Sequence, residues 1–254
     1  MAASTAQIQT TVQYEVRDAI AHVTLDAPPL NILTAAVMAD LATAVERAQA
    51  DRAVVALSVT ATGTAFSAGA DVGEHRPENA PVMIAAFGAC EMPIVMAVDG
   101  PALGAGFELA LMADILIAST KATFGQPEIR LGFFAPVGVS WLSARVGPAR
   151  AIEITSTGHA YTAAEMAAMG LVSHVVPPAE LADKLASVLG ELRRASPAVM
   201  RLNVRLVREL QGRPFEAGRL EAEHVFLNEL MALDDVGEGI ASFFEKRRPV
   251  WHNR

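Results

Sequence analysis

The chain has 254 residues, 52% hydrophobic and 19% charged, a balance that fits a folded globular protein with a substantial core and excludes a disordered one. Its formal charge of −8, with no long basic stretch, argues against a nucleic-acid binder. Cys90 is the only cysteine, which excludes an internal disulfide, and no secretory signal or apolar run of about 18 residues is present, so a cytoplasmic protein without a membrane span is expected.

Val12 to Arg17 and Ile20 to Leu25 alternate as two strands joined by a turn at Asp18-Ala19. Ala27-Pro28-Pro29-Leu30-Asn31 predicts a stiff extended link. Thr34 then predicts an N-cap for a helix to about Ala50, with Val37, Leu41, Val45 and Ala48 on one face. Val54 to Thr60 is the next predicted strand. The small residues from Thr62 to Asp71 follow as a loop whose backbone another molecule can approach closely. Arg76 to Pro81 is polar, and Pro81 to Cys90 suits a short helix.

The stretch Ile94 to Glu128 organises the rest. Ile94 to Val98 is a β-branched, apolar run suited to a buried strand, and Gly100, Gly104 and Gly106 punctuate a tight turn. A helix is predicted to start close to Gly104. Such an N-terminus offers N–H groups without internal partners and the positive end of the helix dipole, so it suits negative charge, permanent or developing. Glu108 lies in that first turn and Glu128 in a loop further on. Asp114 to Ala118, Ala122 to Phe124 and Val172 to Val176 predict short strands; Val137 to Val146, Ala149 to Ser156 and a segment capped by Thr162 predict helices. From Ala179 onward only helical stripes occur: Leu181, Leu185, Leu189 and Leu192; Met200, Val204, Val207 and Leu210; Leu220, Leu227, Leu230 and Met231; then Ile240, Phe243 and Phe244. The breaks fall at Ser196-Pro197, Arg213-Pro214 and Asp234-Asp235. An αβ core with a helical tail is the expected architecture.

Gly100-x-x-x-Gly104-x-Gly106 between strand and helix also matches a dinucleotide-binding turn. That turn normally opens its domain, and neither tyrosine begins a Tyr-x-x-x-Lys, because Asp18 follows Tyr14 and Glu165 follows Tyr161. A dehydrogenase is rejected. Glu108 alone reads as a dipole partner, Asp71 as a cap or turn residue, His75 as an exposed loop residue and Lys246-Arg247-Arg248 as a solvated basic tail. Together with two glycine-rich loops, however, two glutamates suit chemistry α to a carbonyl. Backbone N–H donors hold an oxygen as it becomes an enolate, and paired carboxylates hold a water, one ionised as base and one protonated as acid.

The segments AFSAGADV (65–72), AVDGPALGAGFELALMADILIAS (97–119), FGQPEIRLG (124–132), ARAIEITSTG (149–158) and FFEKRRP (243–249) resemble the crotonase superfamily, the enoyl-CoA hydratases and isomerases. The resemblance runs through nearly the whole chain. It implies an α/β fold, a spiral of repeated ββα units over residues 1–194, with a helical C-terminal trimerisation region over 195–254 and assembly as a homotrimer or dimer of trimers. It implies an acyl-CoA thioester substrate and no metal or redox cofactor.

Carried over by position, the oxyanion hole is the N–H groups of Ala70 and Ala105. Glu108 orients and deprotonates water, and Glu128 delivers a proton to the α-carbon. The CoA adenine lies near Ala68 and Val72, with Asp71 between them in the substrate loop. Phe133, Phe134 and Pro136 fall where the family places part of the acyl pocket. Two departures stand out. Ala105 replaces a frequent glycine, and Pro136 stands where hydratases of linear enoyl-CoAs tend to have a glycine of Pro-Gly-x-Gly-Gly, removing its N–H. With Pro28-Pro29-Leu30-Asn31, this pattern looks most like the cyclohexa-1,5-dienecarbonyl-CoA hydratases. A linear enoyl-CoA hydratase, an enoyl-CoA isomerase and a non-catalytic acyl-CoA-binding oligomer are the alternatives.

Overall fold

The computed structural model describes residues 11–71, 73 and 80–254; Val72 and His75 lie outside the described residues. Strand β1 (Val12–Arg17) turns back on β2 (Ile20–Leu25) in antiparallel register from Val12↔Leu25 to Arg17↔Ile20. Asp18 and Ala19 make the turn with φ of 52° and 61°, the left-handed pair whose twist matches a two-residue hairpin. From β2 onward the sheet is parallel: β3 (Ala56–Ala61), β4 (Ile94–Val98), β6 (Ile115–Ser119) and β9 (His174–Val176) follow in the order β1-β2-β3-β4-β6-β9.

A parallel sheet of this kind is covered on both faces, which is why β4 is an unbroken apolar run rather than an alternating one. Ile94, Met96 and Val98 join a core with Val37, Leu41 and Val45 of α1 (Ala35–Ala50) and with Met83 and Phe87 of α2 (Ala80–Gly88). Val95 points the other way and packs with Ile20, Ala56 and Ile117 beneath Leu181, Leu185, Leu189 and Leu192 of α7 (Leu181–Leu192). Thr34 caps α1 as expected, its side chain accepting from the Val37 N–H. Thr162 caps α6 (Ala163–Ala168) in a reciprocal box with Glu165.

A second layer is built from pieces too short to show a period in the sequence. Strand β5 (Pro101–Leu103) runs parallel to β7 (Thr123–Gly125), which pairs antiparallel with β8 (Ala160–Thr162). Neither β5 nor β8 was expected. Isolated parallel bridges Ser67↔Ala102 and Leu33↔Ala70 continue the layer outward. Each turn of the chain therefore gives one strand to the large sheet, one short segment to the small layer, then a helix: β4, β5 and α3 (Ala105–Leu111) are the clearest unit. The turns from one layer to the other carry the glycine-rich loops.

Two expectations are corrected. Residues 27–31 form a turn, not an extended link: the Asn31 N–H donates to the Ala27 carbonyl at 3.0 Å. Glu128 lies not in a loop but in a 3-10 helix, Pro127–Leu131. The tail consists of α8 (Pro197–Glu209), α9 (Phe215–Asn228) and α10 (Asp234–Glu245). Arg201 ties α8 to the Asp51 and Val54 carbonyls, and Arg208 bridges to Asp114 at 2.6 Å. Phe215, Phe243 and Phe244 remain exposed on the chain. Among the described residues no helix is long and apolar enough to cross a membrane.

Candidate active site

The site begins where β5 ends. Gly104, at φ 55° and ψ −129°, turns the chain into α3 and accepts the N–H groups of Phe107 and Glu108, each at 2.9 Å. Ala105 is the first residue of that helix, so its N–H has no partner within the helix, and its φ is not among the positive ones. The alanine for glycine exchange thus leaves the donor in place.

Opposite lies the loop 67–71, which reaches α3 at backbone contact. A Cβ on Gly106 would stand 2.5 Å from the Ser67 carbonyl oxygen, and one on Gly69 (φ 110°) 3.6 Å from the Ala105 nitrogen. The first distance excludes any side chain at Gly106, and at Gly69 the positive φ is what calls for glycine. The loop is held from behind by Asn31, a buried residue at φ 48°. Its amide donates to the Thr62 and Ala65 carbonyls at 2.6 and 2.8 Å, and its own carbonyl accepts from the Ser67 hydroxyl at 2.8 Å. Leu33 donates to Gly69 and accepts from Asp71, so the Ala70 N–H points away from Leu33. The segments carrying Ala70 and Ala105 are in this way brought side by side.

Glu108 projects from the first turn of α3 and is 6% exposed. Its Oε1 accepts the Val137 N–H at 2.7 Å and lies 3.4 Å from the Gly138 N–H, both in the first turn of α4 (Pro136–Val146). Pro136 opens α4. At a first helical position its missing N–H removes no internal bond, and the next two N–H groups aim at Glu108. Burial pushes the Glu108 carboxyl up to about 7; the Val137 and Gly138 N–H groups work against that rise and the neighbouring Glu128 charge adds to it.

Glu128 is half-buried, and its Oε1 lies only 2.9 Å from where a Cβ on Gly104 would stand. A side chain at the α3 N-cap would displace it. The two glutamates therefore meet at the start of α3. Asp71 takes the turn role: its Oδ1 accepts the Gly73 N–H at 2.7 Å. Ala68 is half-buried, its N–H spent on the Leu30 carbonyl at 2.9 Å. Phe133 and Phe134, 45% and 65% exposed, form the link between the 3-10 helix and α4.

Three contributors do not stand out in the sequence. Asn31 sits in a Pro-Pro-Leu-Asn pattern that gives no sign of a clamp. The Val137 and Gly138 N–H groups were hidden behind Pro136, although proline followed by a helical run signals a helix N-terminus.

The family model for enoyl-CoA hydratase/isomerase matches residues 15–254, and the chain belongs to that family, within the crotonase superfamily. It is 36% identical over 255 residues to a probable enoyl-CoA hydratase of Rhizobium meliloti, covering 96% of this chain and 98% of the relative. It is 35% identical over 238 residues to the cyclohexa-1,5-dienecarbonyl-CoA hydratase of Thauera aromatica, covering 91% and 92%. Among solved structures, an enoyl-CoA hydratase of Geobacillus kaustophilus superimposes with a TM-score of 0.89 at 31% identity, over 96% of this chain and 98% of that one. The protein is an enzyme of the enoyl-CoA hydratase type, from a family that acts on acyl-CoA thioesters.

Proposed function

We propose that the enzyme adds water across the α,β double bond of an enoyl-CoA thioester, with Glu108 as base and Glu128 as acid. The observation that carries this reading is the buried Glu108 carboxyl, raised to about 7 and oriented by the α4 N-terminus beside Glu128. A base poised near neutrality is in both usable forms at the working pH. The N–H groups of Ala70 and Ala105 hold the thioester oxygen. Glu108 takes one proton from water while the water oxygen bonds to the β-carbon, and the double-bond electrons move onto the thioester oxygen. That enolate collapses as Glu128 gives its proton to the α-carbon. The thioester itself is the electron sink, so the scheme calls for no metal or redox cofactor.

Ala68, Asp71 and Val72 belong in this scheme to the CoA-binding loop. Phe133 and Phe134 favour a flat, conjugated acyl group, because aromatic faces stack on it and exclude water. A cyclic dienoyl-CoA is therefore the substrate we favour over a linear enoyl-CoA, a view supported by the Thauera relative and weighed against by the Rhizobium one of nearly equal identity. Residues 195–254 form the contact that makes a homotrimer or dimer of trimers, and the enzyme works in the cytoplasm. Glu108→Gln and Glu128→Gln should each lower kcat for hydration by roughly 100-fold or more, with little change in CoA-ester binding. Their effects should not add, since the two groups act as one unit. Near-normal turnover in either variant would sink the two-carboxylate scheme.

A further inference from the structure

Ser67 lies between β3 and α2 and is fully buried. Its backbone pairs with β5: its N–H donates to the Pro101 carbonyl at 3.2 Å, and its carbonyl accepts the Leu103 N–H at 2.9 Å. Its hydroxyl donates to the Asn31 carbonyl at 2.8 Å and accepts the Gly69 N–H at 3.2 Å. The side chain rests on the first turn of α3, where a Cβ on Gly106 would stand 2.7 Å from the Ser67 Cβ and 2.9 Å from its Oγ.

One residue thus joins the two segments that carry Ala70 and Ala105. Its backbone holds the strand that leads through Gly104 into Ala105, and its hydroxyl holds Gly69, the residue just before Ala70. Within the loop, the N–H groups of Ser67, Ala68, Gly69 and Asp71 are taken by the Pro101 carbonyl, the Leu30 carbonyl, the Ser67 hydroxyl and the Leu33 carbonyl. Among the described residues the Ala70 N–H alone in this segment has no acceptor. Gly69, at φ 110°, has the conformational freedom of glycine, and that freedom would let the Ala70 N–H swing. The Ser67 hydroxyl fixes the peptide on one side of Gly69, and the Leu33 N–H fixes the carbonyl on the other. An alanine would fill the space of the serine and release the first of these holds.

We propose that Ser67 is a positioning residue of the oxyanion hole, its hydroxyl holding the Ala70 N–H in register with the Ala105 N–H. This assignment rests on the reading that those two N–H groups hold the thioester oxygen. Donors stabilise a developing enolate best when they stand in place before the charge arrives, because no reorganisation is then needed during the reaction. Without the hydroxyl the Ala70 donor would sample directions away from the oxygen, and the enolate would be held by Ala105 for part of the time alone. Ser67 touches no reacting atom in this scheme; it acts through Gly69.

The test is Ser67→Ala, which removes the hydroxyl, and Ser67→Cys, which keeps a weaker hydrogen-bonding group, both in the full chain. Two quantities are read at a temperature where each protein is folded by circular dichroism. One is the hydration of crotonyl-CoA. The other is the absorption of bound para-aminocinnamoyl-CoA, which moves to longer wavelength as hydrogen-bond donors draw electron density onto the thioester oxygen. Ser67→Ala should lower kcat by roughly 10-fold to 100-fold with KM changed less than about threefold, since a misplaced oxyanion donor is felt most in the transition state. Its red shift should be smaller than that of wild type, and Ser67→Cys should lie between the two. Turnover of Ser67→Ala within about threefold of wild type, or a red shift equal to that of wild type, would overturn the assignment. If Ser67→Cys alone folds, the same two criteria apply to it; if neither folds, the hydroxyl holds the fold and the assignment falls. Absence of any red shift in the wild type would reject the oxyanion reading itself, and this assignment with it.

Discussion

Glu108 in α3 and Glu238 in α10 carry the same carboxyl group in two regions that treat it in opposite ways. In the core, burial raises Glu108 to about 7, and its bonds are backbone N–H groups from another helix. In the tail, Arg247 grips Glu238 at 2.5 and 2.8 Å, the Val250 N–H adds a bond of 2.7 Å, and the carboxyl falls to about 2. The core keeps polar groups dry and primed; the tail keeps them paired and inert. Hydrophobic side chains show the reverse contrast. Phe107 and Phe124 are fully buried against each other, whereas Phe243 and Phe244 touch each other while 78% and 77% exposed. Exposed ion pairs such as Arg219–Glu216 contribute little to stability, so the tail's pairing does not account for its apolar surface. The proposed trimer would cover such a surface.

The largest expected effect is therefore on assembly. Replacing Phe243 and Phe244 together with aspartate should convert a trimer or hexamer to monomers, read by light scattering at micromolar concentration. Far-UV circular dichroism should hardly change, because the side chains support little within one chain. A monomeric wild type would break the tail half of the contrast outright.

The core half is tested by linkage. The folded pKa of Glu108 is raised from 4.5 to about 7, so the native state binds more protons than the unfolded one between those values. Stability should fall as pH rises through that window and level off above it. The expected size is about 3 kcal/mol, from the shift at 1.36 kcal/mol per unit. Glu108→Gln should lack this component, so urea unfolding at pH 5 and pH 8, at one fixed protomer concentration, should show the variant losing less stability than wild type. His22 and His174, both lowered chiefly by burial, titrate in the opposite sense but are common to both proteins and cancel in the difference. Equal slopes would mean that Glu108 is ionised normally.

Much of this contrast was legible in the sequence. The hairpin at Asp18-Ala19, the Thr34 and Thr162 caps and the four leucines of α7 follow from period and capping, because each depends on residues close in the chain. The pair of glutamates was legible as two residue types in a resembling motif, and their meeting at Gly104 required the fold. What escaped was non-local or short. Strands of three residues, Pro101–Leu103 and Ala160–Thr162, show no alternation to read. Asn31 looks like any turn residue until Ser67 and Ala65 arrive from 34 or more positions away. Pro136 looked like the loss of a donor because the helix behind it, and the Glu108 carboxylate it faces, come together only in three dimensions.

The smallest expected effect concerns the acyl group. Phe133 and Phe134 leave the 3-10 helix just after Glu128 and enter α4 just before the N–H groups that hold Glu108, so they flank the reacting centre in the chain. Both are substantially exposed, which removes the reading that they merely fill core. In the proposed scheme they border the acyl group. A ring stacked on an aromatic face gains about 0.5–1.5 kcal/mol beyond area burial, a few-fold to about tenfold in kcat/KM. Crotonyl-CoA, lacking a ring, cannot collect that gain. A cyclic dienoyl-CoA should therefore be hydrated with the higher kcat/KM, and Phe134→Ala, at the more exposed of the two, should narrow the gap by up to about tenfold while crotonyl-CoA turnover stays close to wild type. A gap that survives alanine at both positions would move these side chains from the acyl pocket to the subunit contact. Crotonyl-CoA winning in the wild type would discard the cyclic substrate and leave the two-carboxylate chemistry untouched, because Glu108 and Glu128 are held by Val137, Gly138 and the space above Gly104, none of which depends on either phenylalanine ring.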